Sequence, residues 1–201
     1  MSNETLTHQS TAQPITGQPV TWKIDPVHSS VTFAVKHMMV ATVRGSMTIA
    51  DGEIEWDPDG STDVAVRVRL DASSINTGMP VRDDHLRSPD FLDAASHPHL
   101  EFRATGVERL GEDRARLAGE LTMRGVTRPV TLEVSFDGLI GGSDGRRAAF
   151  SATTTINRED WGLNWNQALE SGGWLVSKEV RIELAVAAVE ARREEDAASA
   201  A

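Results

Sequence analysis

The chain has 201 residues, a net charge of −10 at pH 7 and no cysteine. One domain takes about 100–200 residues, so this length predicts one domain with tails. The acidic balance argues against a nucleic-acid partner or a polybasic membrane-surface module, and the missing cysteine excludes disulfides, thiolate metal sites and a cysteine nucleophile. No apolar run approaches the ~20 residues of a membrane-spanning helix, so no transmembrane segment is predicted.

The two ends of the chain have compositions typical of tails. Residues 1–20 are polar and contain neither the basic segment nor the apolar stretch of a secretory signal, which predicts a disordered N-terminal tail and a cytoplasmic location. Residues 190–201 are charged and then rich in Ala and Ser, which predicts a frayed C-terminal tail. The folded domain is therefore expected to span residues 21–189.

Alternation of apolar and polar residues dominates this domain and predicts half-buried antiparallel strands. In chain order the alternating segments are 22–24, 31–35, 47–49, 64–70, 100–102, 115–121, 130–136, 148–156 and 180–186. Turn signals such as Asp51-Gly52, Arg124-Gly125 and the glycines of 141–145 separate them. The pattern predicts an all-β domain, namely a single antiparallel barrel of about eight strands or a two-sheet sandwich.

Two segments depart from the alternation. Residues 78–96 have helical spacing, with Pro80 and Pro89 at expected helix starts, and predict one or two short helices. Residues 157–173 are rich in Trp and Asn and predict a loop with a helical turn before the last strand.

The inward positions predicted from the alternation are mostly modest in size, with few large rings. Such a lining permits a lumen, because an eight-stranded barrel is wide enough for one small ligand, but it equally permits a dry core. A register error of one residue would reverse a strand's assignment. The predicted lining residues are Phe33, Val35, Val66, Val68, Leu117, Leu132, Val134, Phe150, Ile182 and Leu184.

Polar candidates are fewer. Arg82, Asp83 and Trp165 are candidates for a polar cavity mouth, where a guanidinium suits a phosphate or another polar head. The plainer interpretation of 82–87 is a solvated helix held by its own charges, and that of Trp165 is a loop anchor. His28 and His37 lie about 30 Å apart in an extended strand, so they do not share a metal ion. No metal site, cofactor motif or catalytic motif is found, which predicts a binding protein rather than an enzyme.

Segment 22–37 (WKIDPVHSSVTFAVKH) resembles the opening of the YceI-like family, whose pattern is roughly aromatic-x-Ile-Asp-x-x-His-Ser-x-Val-x-Phe-x-Val-x-His. Further matches follow in order at 74–78 (SINTG), 82–86 (RDDHL), Phe91 and Pro98, 119–130 (GELTMRGVTRPV) and 157–163 (NREDWGL). The chain departs from the family in having Trp22 where Tyr is frequent, Asn76 where Asp is common and Trp161 in place of Phe.

The resemblance implies a lipocalin-like barrel whose lumen binds a long apolar molecule, such as a polyisoprenoid, an isoprenoid quinone or a similar lipid, for storage, transport or sequestration. It also implies a tendency to form homodimers. Two alternatives stay open. One is an enzyme acting on a lipid or quinone, with His28, His85 and Asp83 as acid–base candidates, and the other is a stress-related interaction domain whose barrel is filled by side chains.

Overall fold

The computed structural model describes residues 20–58, 64–141, 145–170 and 172–191, and within them the chain is almost entirely β-sheet. The predicted tails lie largely outside these residues, although Val20 and Glu190 belong to strands. Helix α1 spans Pro80–Arg87, and a 3-10 turn spans Arg158–Trp161. The strands are β1 Val20–Ile24, β2 Ser30–His37, β3 Ala41–Trp56, β4 Ala65–Asn76, β5 His99–Arg109, β6 Arg114–Met123, β7 Val126–Ile140, β8 Arg147–Asn157 and β9 Val176–Glu190.

The strands close into an antiparallel barrel with eight strand positions. The order is β3-β2-β9-β8-β7-β6-β5-β4, and β4 pairs back onto β3. Strand β1 pairs with β3 and β9 beyond the start of β2, so β1 and β2 share one position in succession. The predicted lipocalin-like barrel of about eight strands is therefore confirmed. Among the described residues, no helix is long and apolar enough to cross a membrane.

Strand register follows the alternation, as β7 illustrates. Thr131 and Glu133 are exposed, whereas Leu132 and Val134 face the interior and are partly buried. Five register shifts interrupt the ladders, for example between Ala104 and Gly106 on β5. Such bulges increase local twist and bend a strand, which long strands need in order to wrap around a closed barrel.

The turn expected at Asp51-Gly52 is not formed, because β3 continues through both residues to Trp56. A register shift between Ile49 and Asp51 absorbs the irregularity, and Arg69 of β4 pairs with the Asp51 carboxylate at 2.5 Å. A Cβ at Gly52 would lie 2.7 Å from Cδ1 of Ile24. The glycine thus marks a close approach inside a strand rather than a turn.

The two ends of the barrel differ. The hairpin-tip end carries the β3–β4, β5–β6 and β7–β8 connections. The helix end carries α1, the 3-10 turn, and the β2–β3 and β6–β7 turns. The prediction of a helix starting at Pro80 is confirmed, but Pro89 starts no helix. Residues 89–96 form turns instead, in which Ala94 donates back to Arg87 and Asp93 takes a positive φ of 48°.

Buried apolar side chains form two clusters, one toward each end. The cluster at the hairpin-tip end is centred on Trp22, which is fully buried and donates from Nε1 to the Trp56 carbonyl at 3.0 Å. The Trp56 ring also lies 5.4 Å from Phe136 and 5.5 Å from Phe150. The expectation of few large rings at inward positions was therefore wrong. At the helix end the cluster includes Phe91, Leu92, Trp161 and Leu163.

Candidate ligand-binding cavity

The barrel encloses a cavity of about 570 Å³. This volume lies within the roughly 300–1,000 Å³ typical of small-molecule sites. The ten apolar residues assigned to the interior from the alternation all line it, namely Phe33, Val35, Val66, Val68, Leu117, Leu132, Val134, Phe150, Ile182 and Leu184. The structure thus brings this predicted set together on one continuous apolar surface. Their role in ligand binding stays a prediction.

The lining also contains residues that the predicted set lacks. Val130, Val180 and Val186 belong to the same alternating segments as their predicted neighbours, so the same signal could have identified them. Leu86, from α1, belongs to the helix end of the lining, for which strand alternation makes no prediction.

Trp165 lies outside the lining, where it anchors the segment that closes the helix end. Its ring contacts His85 with centroids 4.6 Å apart and Phe91 at 5.4 Å. His85 Nε2 lies 2.9 Å from Oδ2 of Asp90. Phe91 itself lines the cavity from the other side of this cluster. The anchoring interpretation of Trp165 therefore describes its observed contacts.

Arg82 and Asp83 also lie outside the lining, where they tie α1 to the end of β4. The buried Asp83 carboxylate accepts hydrogen bonds from the N–H and hydroxyl of Thr77, at 2.8 and 2.5 Å. Arg82 donates from Nε to the Thr77 hydroxyl at 2.7 Å and from Nη2 to its carbonyl at 3.0 Å. These groups are engaged in the fold, and neither residue is among those that line the cavity.

The pKa of Asp83 reflects these opposing influences. Burial alone raises the pKa, but hydrogen bonds from Thr77 and the charges of Arg87 and Arg82 outweigh it, so the pKa lies below its ordinary value. Asp83 is therefore ionised at neutral pH and acts as a structural acceptor rather than an acid donor.

The proposed acid–base groups are not assembled. His28 is exposed in the β1–β2 connection and bonds to Asp25 at 2.8 Å, whereas His85 belongs to α1. The hydrogen bond from His28 holds the pKa of Asp25 below its usual range. Each histidine thus has a carboxylate partner at an element end, and no described group of three His, Asp or Glu residues is arranged to hold a metal ion.

One charged side chain reaches the cavity at the helix end. Arg158 follows β8 directly, lines the cavity and is only 3% exposed. Its Nε donates to the Ser177 carbonyl at 3.0 Å, and its Nη1 donates to the Leu163 carbonyl. Within the described part of the chain, Nη2 finds no acceptor. Burial lowers the pKa of this guanidinium from its ordinary value, but arginine keeps its charge in proteins.

Polar residues line the opposite end of the cavity as well. Arg109, Glu112, Asp113 and Arg114 surround the β5–β6 connection, and all four are exposed. Because the same residues are exposed and line the cavity, the lumen reaches solvent at the hairpin-tip end. Sequence reasoning missed this site, since a polar β-hairpin is by itself an ordinary surface feature.

Comparison with solved structures finds the same fold in several bacterial proteins. The crystal structure of Burkholderia cenocepacia BcnA superimposes with a TM-score of 0.71 at 19% identity, covering 82% of this chain and 98% of that one. The YCEI protein of Campylobacter jejuni gives 0.65 at 23% identity, covering 96% and 100%. A Saccharophagus degradans domain described as polyisoprenoid-binding gives 0.66 at 16% identity, covering 86% and 99%.

Sequence comparison extends this likeness beyond the fold. A UPF0312 protein of Staphylococcus aureus (strain MSSA476) is 36% identical over 161 residues, which are 79% of this chain and 91% of the relative. The model of the YceI-like domain matches residues 22–188, a range that overlaps every strand of the barrel. The chain therefore belongs to the YceI-like family.

Proposed function

We propose that this protein binds one long apolar amphiphile, a polyisoprenoid, an isoprenoid quinone or a similar lipid, inside the barrel. The observation that carries the proposal is the 570 Å³ lumen with a continuous apolar wall. A core filled by side chains, as the interaction-domain alternative requires, would leave no such space. The likeness to a domain described as polyisoprenoid-binding supports the same class of ligand.

Elementary energetics favour a lipid in this lumen. Burial of one CH₂ group contributes about 0.8 kcal/mol, so one five-carbon isoprene unit contributes about 4 kcal/mol before ordering costs. A few units therefore provide ample affinity without polar contacts, although ordering of the chain offsets much of the gain. The apolar wall suits storage, transport or sequestration of the ligand, because most of the described residues that line it have apolar side chains.

A matched pair of tryptophan variants tests the proposal. Leu132→Trp places an indole in the lumen, whereas Thr131→Trp places the same ring on the exposed outer face one residue away. We expect Leu132→Trp to weaken binding of a polyprenol or menaquinone at least tenfold, since the ring occupies the ligand's space, and Thr131→Trp to bind like the wild type. Displacement of a fluorescent lipid measures both. Equal affinities in the two variants would contradict binding in the lumen.

The natural ligand is to be sought in protein purified from its own host. Native mass spectrometry should show a mass excess that disappears on organic extraction, and the extract identifies the lipid. A protein that is isolated empty and also takes up neither polyprenyl phosphates nor quinones would refute the proposal. The enzyme alternative predicts instead that His85→Ala abolishes turnover of such a lipid while the melting temperature stays unchanged.

A homodimer, which the resemblance implies, and a cytoplasmic location are further parts of this proposal. Light scattering coupled to size exclusion tests the first prediction, since a dimer doubles the mass of the 21.8 kDa chain. Fractionation of host cells tests the second.

A further inference from the structure

We propose that Nη2 of Arg158 binds an acceptor oxygen at the polar end of the ligand, and that this polar end is a carboxylate. The ligand is then a long-chain acid that enters the lumen polar end first. This inference rests on the proposed lipid-binding function and adds the ligand's head chemistry and its orientation. It is carried by one buried guanidinium in an otherwise apolar wall.

Arg158 has one nitrogen, Nη2, whose N–H groups are unpaired in the part of the chain that the structure describes. Arg158 is 3% exposed, two of its nitrogens already donate to backbone carbonyls, and among the described residues Nη2 has no acceptor. Buried donors are rarely left unpaired, because the lost hydration is not recovered. Arg158 is one of the residues that line the cavity, so the lumen is the side from which a ligand approaches this side chain.

Arg158 also carries a buried positive charge. The neighbouring carboxylate, Glu159, is paired with Lys178 at 2.8 Å, and no described carboxylate forms a salt bridge with Arg158. A buried charge without a counter-ion is unfavourable, and a hydrogen-bonded anion relieves it. One positive charge therefore favours a ligand with one negative charge at this depth.

The number of free N–H groups distinguishes a carboxylate from a phosphate as the partner of Arg158. Nη2 presents two N–H groups, whereas a phosphate brings several oxygens that each require a donor after leaving water. Near Arg158 the lining is supplied by Leu163 and Ile156, which offer only apolar side chains. A carboxylate has two oxygens and matches the available donors more closely than a phosphate does.

The fold sets the orientation. Arg158 lies at the helix end, which Leu86 and Phe91 close with apolar side chains, while the lumen reaches solvent at the hairpin-tip end. A ligand whose oxygen meets Arg158 has its apolar tail directed toward the hairpin tips. The exposed Arg114 at those tips is the alternative cation, and it would hold the polar end in the reverse orientation.

A ligand series with one shared chain tests the head chemistry. Phytanic acid, phytanol and the hydrocarbon phytane, which share one saturated branched chain, are titrated at pH 8 into the wild type, Arg158→Met and Arg114→Met. In the wild type we expect the acid to bind about 10- to 100-fold more tightly than phytane, the range for a hydrogen bond to a charged group. Arg158→Met should bring this ratio close to one, whereas Arg114→Met should keep the ratio.

Several outcomes would overturn the inference. Equal binding of acid and hydrocarbon by the wild type contradicts the head contact while leaving the lipid-binding function intact, whereas no binding of any of the three refutes both. If only Arg114→Met loses the preference for the acid over phytane, the polar end lies at the hairpin tips and the proposed orientation is wrong. Acetate in hundredfold excess should leave the acid bound, and displacement would identify a site for free anions instead.

An orientation measurement in the wild type covers the case in which Arg158→Met fails to fold, since Arg158 also supports two backbone carbonyls. A long-chain acid with a diazirine at its tail end is cross-linked in the barrel, and the modified peptides are mapped by mass spectrometry. Polar-end-first entry predicts adducts near Val107 and Leu139, which line the hairpin-tip end. Adducts at Phe91 or Leu163 would contradict it.

Discussion

The side chain of Asp83 connects local chemistry to the architecture of the helix end. It is buried, it accepts two hydrogen bonds from Thr77, and Thr77 in turn accepts one from Arg82. Asp83 thus ties the first turn of α1 to the residue Thr77 that precedes the helix, whereas Met79 at the N-cap makes no side-chain hydrogen bond. The RDDHL segment thus holds α1 against the end of β4 through Thr77. Helix α1 in turn supplies Leu86 to the closed end of the lumen.

Replacement of Asp83 should therefore cost more stability than replacement of its neighbour. We expect Asp83→Asn to lower the free energy of unfolding by about 1–3 kcal/mol, because a neutral amide oxygen accepts the two hydrogen bonds from Thr77 more weakly than a carboxylate oxygen and loses the attraction of Arg87 and Arg82. Asp84→Asn, at a side chain that is 78% exposed and paired with Arg87, should cost at most about 0.5 kcal/mol. Urea denaturation compares them, and equal losses would contradict the role of Asp83 in holding α1.

The same carboxylate predicts a pH dependence. Because the pKa of Asp83 is lowered in the folded state, its stabilisation is fully present above the unfolded value of about 3.9 and is lost as the pH falls through the folded value. The stability difference between the wild type and Asp83→Asn should therefore shrink as the pH is lowered below about 4. A difference that stays constant over this range would show that the carboxylate charge is not what matters.

At the scale of elements, glycines set how closely the aromatic rings can lie on the sheet. A Cβ at Gly119 of β6 would collide with the Phe102 ring and lie 2.7 Å from the Arg103 carbonyl oxygen, so the ring of the neighbouring strand covers the glycine. We expect Gly119→Ala to cost about 1–3 kcal/mol through overpacking.

The matched control for this prediction is Gly106, on β5. A Cβ there meets nothing within 4 Å and the backbone needs no left-handed conformation. Gly106→Ala should be neutral or should stabilise the fold by up to about 1 kcal/mol, because it restricts the unfolded chain. Thermal unfolding measures both variants, and similar melting temperatures would show that the Phe102 ring moves aside freely.

Sequence alternation predicted these elements where one face is buried and the other is exposed, as in β7. It failed where an element obeys a different constraint. Asp51-Gly52 carries the composition of a turn, but pairing of β3 with β4 and the close approach of Ile24 keep it in a strand. Pro89 starts no helix, because backbone hydrogen bonds of residues 88–97 form turns that place Phe91 and Leu92 against the lumen.

The limits of prediction at the site have the same origin. The period of two places ten lining residues correctly, because each strand contributes its inner face as a whole. Arg158 lies beyond the end of β8, where the periodicity stops, and its burial depends on Ser177 and Leu163, which follow it in the chain but close over it in space. A polar residue buried by long-range closure leaves no local sequence signal.

At the scale of the whole molecule, the barrel separates charge from the ligand. The whole chain has a net charge of −10, and the outward positions of the sheet are largely polar, while the lumen wall is apolar apart from Arg158, Thr154 and the hairpin-tip group. The acidic surface therefore affects solubility and contributes little to ligand selection. The shape of the lumen and the few polar groups at its two ends determine which ligand binds.

Binding inside a closed barrel should raise the stability of the entire fold, since every strand from β2 to β9 contributes to the wall. At a free ligand concentration of 100 times Kd, linkage adds about 2.7 kcal/mol, which for a domain of this size raises Tm by about 5–11 °C. Calorimetry of lipid-free protein with and without a long-chain acid measures the shift. Thr131→Trp should show the full shift. Leu132→Trp should show at most about half of it, because tenfold weaker binding leaves only about 1.4 kcal/mol at the same ligand concentration. A comparable increase in Leu132→Trp would mean that the lipid stabilises the protein from the outer surface, and the lumen would then not be the binding site.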